Sequence, residues 1–221
     1  MGGDRTIAIT PSFINELGLH LSNPLPGVTA QIKMTPQPSY IPPLARNEAD
    51  AMPSAVLMLL FEEKKKWSFF LMERSNNVEY HRGQISLPGG AQETGEDLET
   101  TALREANEEI GILSASVNML GAITPLFIPA SGFLVHPFLG WSETAPKVTI
   151  DSNEVAALHT VKVENLLDDS RIKQEQRKIR ECNVNVPYFQ LNQLKVWGAT
   201  AAILSECKDI FSKCYSMENT Q

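Results

Sequence analysis

The apolar positions fall into short blocks separated by polar turns. Thr10 offers a helix N-cap, Pro11 suits the first helical position, and Phe13, Ile14, Leu17 and Leu19 follow, so a short helix is expected there. Between 23 and 53 the repeated prolines Pro24, Pro26, Pro36, Pro38, Pro42 and Pro43 predict an extended arm wrapped on the domain, either a plain linker or a lid. Compact apolar runs predict strands over 54–61 and 67–72, joined by the polar turn 62–66, and a shorter one over 84–87 that stops at Pro88. Two further strands are expected over 117–127 and 133–141 around Pro129, Ala130, Ser131 and Gly132, then a strand over 155–163 running into a short helix. The polar stretch 169–185 predicts an exposed hairpin or loop. A last helix over 199–213 carries Ile203, Leu204, Cys207, Ile210, Phe211 and Cys214 on one stripe. Strands mixed with a few helices give an α/β class and a single layered domain.

Composition narrows the partners. The 221 residues are 43% hydrophobic and 20% charged, an ordinary globular balance. A formal net charge of −7 disfavours a nucleic-acid binder, which needs cations arranged against phosphates. No apolar run approaches the ~20 residues of a membrane helix, and neither end of the sequence carries a signal or address, so no membrane is expected. Cys182, Cys207 and Cys214 are odd in number and widely spaced, pointing to a reducing, cytoplasmic setting without a disulfide or zinc framework. Lys64, Lys65 and Lys66 read as a solvated hairpin tip, with a phosphate contact as the alternative.

The stretch 90–112 carries the chemistry. Gly89, Gly90 and Gly95 allow a tight path, Glu96 and Asp97 are expected in the first helical turn, and Gly111 suits the left-handed helix stop. At about 100° per residue, Leu98, Ala102, Ala106 and Ile110 form a core-facing stripe, while Glu105, Glu108 and Glu109 share an adjacent arc. Such crowding costs a few tenths of a kcal/mol per like-charge pair, on the order seen for helical neighbours. A hard divalent cation reverses that sign; a solvated acidic surface helix is the alternative. Arg104 is available to orient a carboxylate by bidentate pairing.

The spacing of Gly90, Glu96, Arg104, Glu105, Glu108, Glu109 and Gly111, with Ala106 and Ile112 in aliphatic slots, resembles the Nudix box at every defined position. The resemblance implies an α/β/α sandwich with a mixed β-sheet and a catalytic loop-helix-loop. It also implies a diphosphatase using Mg²⁺ or Mn²⁺, with Glu105, Glu108 and Glu109 as metal ligands and the Gly89 carbonyl as a further one. Arg104 and Glu96 would brace the loop against the helix, and Glu108 or Glu109 would take the proton from water. Glu154, just before a strand, is the candidate base or ligand from a distant loop, with ordinary loop charge as its alternative. The implied organisation is an N-terminal helix and arm (1–53), a Nudix domain (54–215) and a polar tail (216–221).

Upstream, Arg74, Ser75, Gly83, Pro88, Gly89 and Gly90 resemble in register the signature that precedes the box in coenzyme A diphosphatases, with Leu87 in place of Phe. That resemblance implies cleavage of coenzyme A or acyl-CoA to phosphopantetheine and adenosine 3′,5′-bisphosphate. Arg74, His81 and Arg82 are then the first candidates for phosphate contacts. Met72 stands where the signature has Thr, and Glu79 where it has Arg; an anion there can change substrate preference. ADP-ribose, dinucleotides or nucleoside triphosphates are the alternative substrates, and a non-catalytic nucleotide-binding regulator is the alternative class. The expected partner is a small nucleotide, and a homodimer is compatible with the sequence.

Overall fold

The computed structural model describes residues 10–36, 47–75, 83–179 and 182–218. Strands β1 (Met52–Glu63) and β2 (Lys66–Arg74) form an antiparallel hairpin closed by Lys64 and Lys65, with φ 52° and 64°. Both turn residues therefore occupy the left-handed region that a two-residue hairpin demands and that glycine or asparagine enters more cheaply. The two strands pair only from Leu60↔Phe69 to Glu63↔Lys66 and then diverge. Into the gap come β3 (Ile85–Ser86), paired to β2, and β4 (Gly89–Ala91), paired to β1. This opening in the sheet is where the glycine turn is seated.

Helix α1 (Thr10–Leu21) and the short α2 (Val28–Gln31) precede the sheet, and α3 (Leu98–Ile110) follows β4. Strands β5 (Asn118–Ala122) and β6 (Leu126–Ile128) run antiparallel to β7 (Phe133–Ser142), which runs parallel to β1 over ten pairs. Strand β8 (Val155–Lys162) pairs antiparallel with β2. The result is a mixed sheet, as expected. After α4 (Val163–Leu167), β9 (Ile172–Ile179), β10 (Cys182–Leu191) and β11 (Leu194–Trp197) make a second, antiparallel sheet, and α5 (Gly198–Glu218) ends the described chain. Among the described residues no helix is long and apolar enough to cross a membrane.

Alternation along β1 sorts the core. Ala55, Leu57, Leu59 and Phe61 face α3 with Phe70 and Met72 of β2, while Met58 and Leu60 face α1, α5 and the second sheet. Phe13, Ile14 and Leu17 of α1 enter that second cluster, with the Phe13 ring 5.8 Å from Phe211.

Several expectations are corrected. Leu19 lies on the exposed side of α1. Pro38, Pro42 and Pro43 of the expected arm lie outside the described residues; among the described ones, the segment before them holds α2 and a 3₁₀ turn, Ile32–Met34. The buried carboxylate of Glu206 on α5 secures it, accepting from Gly27 N–H (3.0 Å), Gln31 Nε2 (2.9 Å) and Thr124 Oγ1 (2.7 Å). The strand expected over 117–127 breaks in two, with a register shift at Gly121 and Pro125 between the pieces, where no amide is available to extend the ladder. The polar 169–185 region is indeed a hairpin, yet its second strand buries Val184 and Val186 and continues to Leu191.

Candidate active site

Helix α3 begins at Asp97, whose side chain caps it by accepting from Thr100 N–H at 2.8 Å. Glu96 therefore stands before the helix, not in its first turn. The end is a Schellman-type stop: Gly111 has φ 73°, its N–H reaches Asn107 O (2.9 Å), and Ile112 N–H reaches Ala106 O (3.1 Å). Ala102, Ala106 and Ile110 are buried against β1, as the stripe predicts, and the two alanines let the helix close on the sheet.

Arg104 organises the turn beneath. Its Nε and Nη2 grip the two Glu96 oxygens at 3.1 and 2.9 Å, and Nη2 also donates to Ala91 O at 3.1 Å. Glu96 accepts further from Glu93 N–H (2.9 Å) and Thr101 Oγ1 (2.8 Å). These donors, Arg104 foremost, hold the Glu96 carboxyl down at about 2. Arg104 Nη1 turns the other way, to Glu105 (2.9 Å) and Glu108 (2.8 Å).

The three glutamates differ in setting. Side-chain exposure is 1% for Glu109, 15% for Glu105 and 58% for Glu108. Glu109 accepts from Gly89 N–H (2.8 Å) and Arg74 Nη1 (3.3 Å). Burial nevertheless pushes its carboxyl up to about 8, with the charges of Glu105 and Glu154 adding to the rise. Glu105 is also raised, first by burial and then by Glu108 and Glu154, against the lowering pull of Arg104. A Cβ on Gly90 would lie 2.4 Å from a Glu105 oxygen, and one on Gly89 would lie 2.3 Å from Ala55 O. Glycine at 89 is what lets the turn close on the β1 backbone, and a side chain at 90 would displace the Glu105 carboxylate from its place on the turn.

Glu154 reaches this set through backbone bonds that side-chain spacing does not reveal. Thr149 N–H donates to Ile110 O (3.0 Å) and Asp151 N–H to Glu109 O (2.9 Å), so the loop before β8 docks on the open carbonyls at the end of α3. Glu154 N–H then bonds Asp151 O (3.1 Å), while Glu154 O accepts from Ser75 N–H (2.7 Å). The docking residues Thr149 and Asp151 escape a reading by motif; the only sequence trace is Asp151 two residues before Asn153, an Asx turn with a 2.9 Å bond.

Among the described residues no three acidic, histidine or cysteine side chains converge as they would around a bound ion, and Arg104 lies between Glu105 and Glu108. The donor chemistry still fits a hard cation. Two desolvated carboxylates and an exposed one are all-oxygen ligands, and the raised pKa values of the buried pair, Glu105 and Glu109, mark a local deficit of positive charge. Arg74 is brought into the set, with one nitrogen committed to Glu109. His81, Arg82 and Glu79 lie outside the described residues. Met72 is wholly buried beneath α3, so that departure from the signature is a packing choice.

A model of the NUDIX domain matches residues 51–181. The chain is 31% identical over 169 residues to the Nudix hydrolase NudL of Photorhabdus laumondii, covering 75% of this chain and 89% of that one. It is 30% identical over 145 residues to Nudix hydrolase 3 of Caenorhabditis elegans (64% of this chain, 60% of that one). It is 29% identical over 135 residues to the peroxisomal coenzyme A diphosphatase ndx-8 of the same animal (60% and 56%). The chain thus spans about three-fifths of the length of these two nematode relatives. Among solved structures, the Mycobacterium smegmatis Nudix hydrolase RenU shares the fold with TM-score 0.54 at 16% identity, over 73% of this chain and 86% of that one.

Proposed function

The chain belongs to the Nudix hydrolase family, and from that premise we propose that it cleaves the diphosphate of coenzyme A or an acyl-CoA to phosphopantetheine and adenosine 3′,5′-bisphosphate. The observation that carries the reaction class is the split among the glutamates of α3, the helix seated on the glycine turn: Glu105 and Glu109 desolvated, Glu108 exposed. The substrate reading rests on the stretch 71–90, where Arg74, Ser75, Gly83 and the Pro88-Gly89-Gly90 run follow the coenzyme A diphosphatase signature, and on the similarity to ndx-8.

Glu105, Glu108 and Glu109, with the Gly89 carbonyl, would hold Mg²⁺ or Mn²⁺, which supplies positive charge against the diphosphate and makes bound water more acidic. The chain's own residues do the rest. Arg104 holds Glu96 and Ala91 so that the glycine turn keeps its path under the helix. Gly89 N–H and Arg74 fix Glu109 in one orientation. Glu108, exposed and able to leave Arg104, or Glu109 takes the water proton, and Glu154 is the candidate base from the docked loop. The water oxygen bonds to one phosphorus and the bridging oxygen departs with the other phosphate. Arg74, His81 and Arg82 are proposed for substrate phosphates, and a reducing cytoplasm is proposed from Cys207 and Cys214, which are buried thiols outside any disulfide.

Glu79, an anion where the signature has a cation, favours a second substrate reading: ADP-ribose, a dinucleotide or a nucleoside triphosphate. Turnover of coenzyme A, acetyl-CoA, ADP-ribose, a dinucleotide and ATP with Mg²⁺ separates them. Coenzyme A or its thioester is expected to give the highest kcat/KM; much faster ADP-ribose cleavage would replace it. No turnover of any of them would leave a nucleotide-binding regulator.

A further inference from the structure

The sheet face under α3 continues past the acidic set. In parallel register with β1, His136 of β7 stands beside Ala55, and Ala55 stands beside Gly90 of β4. The row Gly90, Ala55, His136 therefore crosses three neighbouring strands. Ala55 and Phe138 belong to the cluster beneath α3, which fixes this parity: His136 and, two residues earlier, Leu134 face the same side. Leu134 pairs with Phe127 of β6, whose neighbours Leu126 and Ile128 pack on the opposite core, so Phe127 also faces the α3 side. Phe127, Leu134 and His136 belong to neither buried cluster and are all half-exposed. Among the described residues nothing hydrogen-bonds the His136 imidazole.

Two strand spacings of ~4.8 Å put the His136 backbone roughly 10 Å from Gly90, on the face where the Glu105 carboxylate lies against that glycine. An aromatic ring, an aliphatic neighbour and an unpaired imidazole make a surface for a flat heteroaromatic ring with hydrogen-bonding edges. We propose that Phe127, Leu134 and His136 form the nucleobase subsite, with Phe127 and Leu134 against the ring face and His136 on its edge. The proposal deepens, and rests on, the reading of the acidic helix as a diphosphatase site. Burial lowers the His136 pKa, which favours the neutral imidazole and so leaves one nitrogen to donate and one to accept.

Calorimetric titration of the full chain in Mg²⁺, with ADP and separately with inorganic pyrophosphate, tests this. Phe127→Ala and His136→Ala are expected to weaken ADP binding ~5-fold or more, the scale of a lost base-stacking contact, and to leave pyrophosphate within about twofold. Phe127→Leu, which keeps bulk but removes the ring, should show the same selective loss if Phe127→Ala fails to fold, and His136→Gln should restore part of the affinity. Folded variants that bind ADP like the wild type, or that lose both ligands equally, overturn the subsite. A wild-type chain that binds neither ligand overturns it together with the diphosphatase reading.

Discussion

Two buried glutamates, Glu109 and Glu206, meet opposite surroundings. Glu206 on α5 accepts from three neutral donors, Gly27 N–H, Gln31 Nε2 and Thr124 Oγ1, and ties together α2, the link between β5 and β6, and the last helix. Glu109 on α3 has Gly89 N–H and Arg74, but shares its space with Glu105 and feels Glu154, and its carboxyl is pushed up to about 8. A buried carboxylate ringed by donors is an anchor. One crowded by other carboxylates is short of positive charge, and in a metal-binding site that shortage is the function.

The contrast is broken most strongly by mutation. Glu108→Gln is expected to lower kcat by ~10²-fold or more, the scale of a lost proton acceptor, with the melting temperature nearly unchanged; steady-state kinetics beside thermal melts check it. Glu206→Ala should do the reverse. Stranding three donors costs on the order of 3 kcal/mol in denaturant titrations, while activity per folded molecule stays at the wild-type level.

Acidity sharpens it further. In the cation-free protein the folded pKa of Glu109, about 8, lies above its ordinary value of 4.5, so the folded state holds the extra proton between them. Stability from this group is accordingly expected to fall as pH rises from about 4.5 to about 8, and Glu109→Gln should flatten that slope. Glu96 runs the other way. Its folded pKa of about 2 lies below 4.5, so its contribution is present above about 4.5 and is lost as pH falls toward 2. Acid unfolding of Glu96→Gln, compared with the wild type, reads out that loss. The smallest effect lies in the β1–β2 turn: Lys65→Gly should stabilise by about 1 kcal/mol, because φ 64° strains lysine and not glycine.

How much of this could be read beforehand divides along the same line. The α3 segment was legible because its chemistry is local: Gly90, Glu96, Arg104, Glu105, Glu108, Glu109 and Gly111 fall within about one helix of sequence, and the stripe Ala102, Ala106, Ile110 declares the buried side. What stayed hidden depends on distant pairing. Glu206 interrupts an apolar stripe, and its donors lie 82 to 179 residues away. In the second sheet cation–aromatic contacts stand in for part of the apolar alternation that marks a strand: Arg177 of the polar β9 lies over Trp197 of β11 (4.1 Å), and Lys195 of β11 lies over Tyr188 of β10 (4.9 Å). The docking of Thr149 and Asp151 on α3 uses backbone groups, which every residue carries and no composition betrays.

The most direct test of the contrast is Mn²⁺ binding followed by electron paramagnetic resonance, on the wild type, Glu109→Gln and Glu206→Gln. The wild type and Glu206→Gln should bind Mn²⁺ with the same affinity, and Glu109→Gln should bind at least ~10-fold more weakly, in line with the loss of a carboxylate ligand. Equal binding by all three, or none by the wild type, would contradict the assignment of the acidic helix as the cation site.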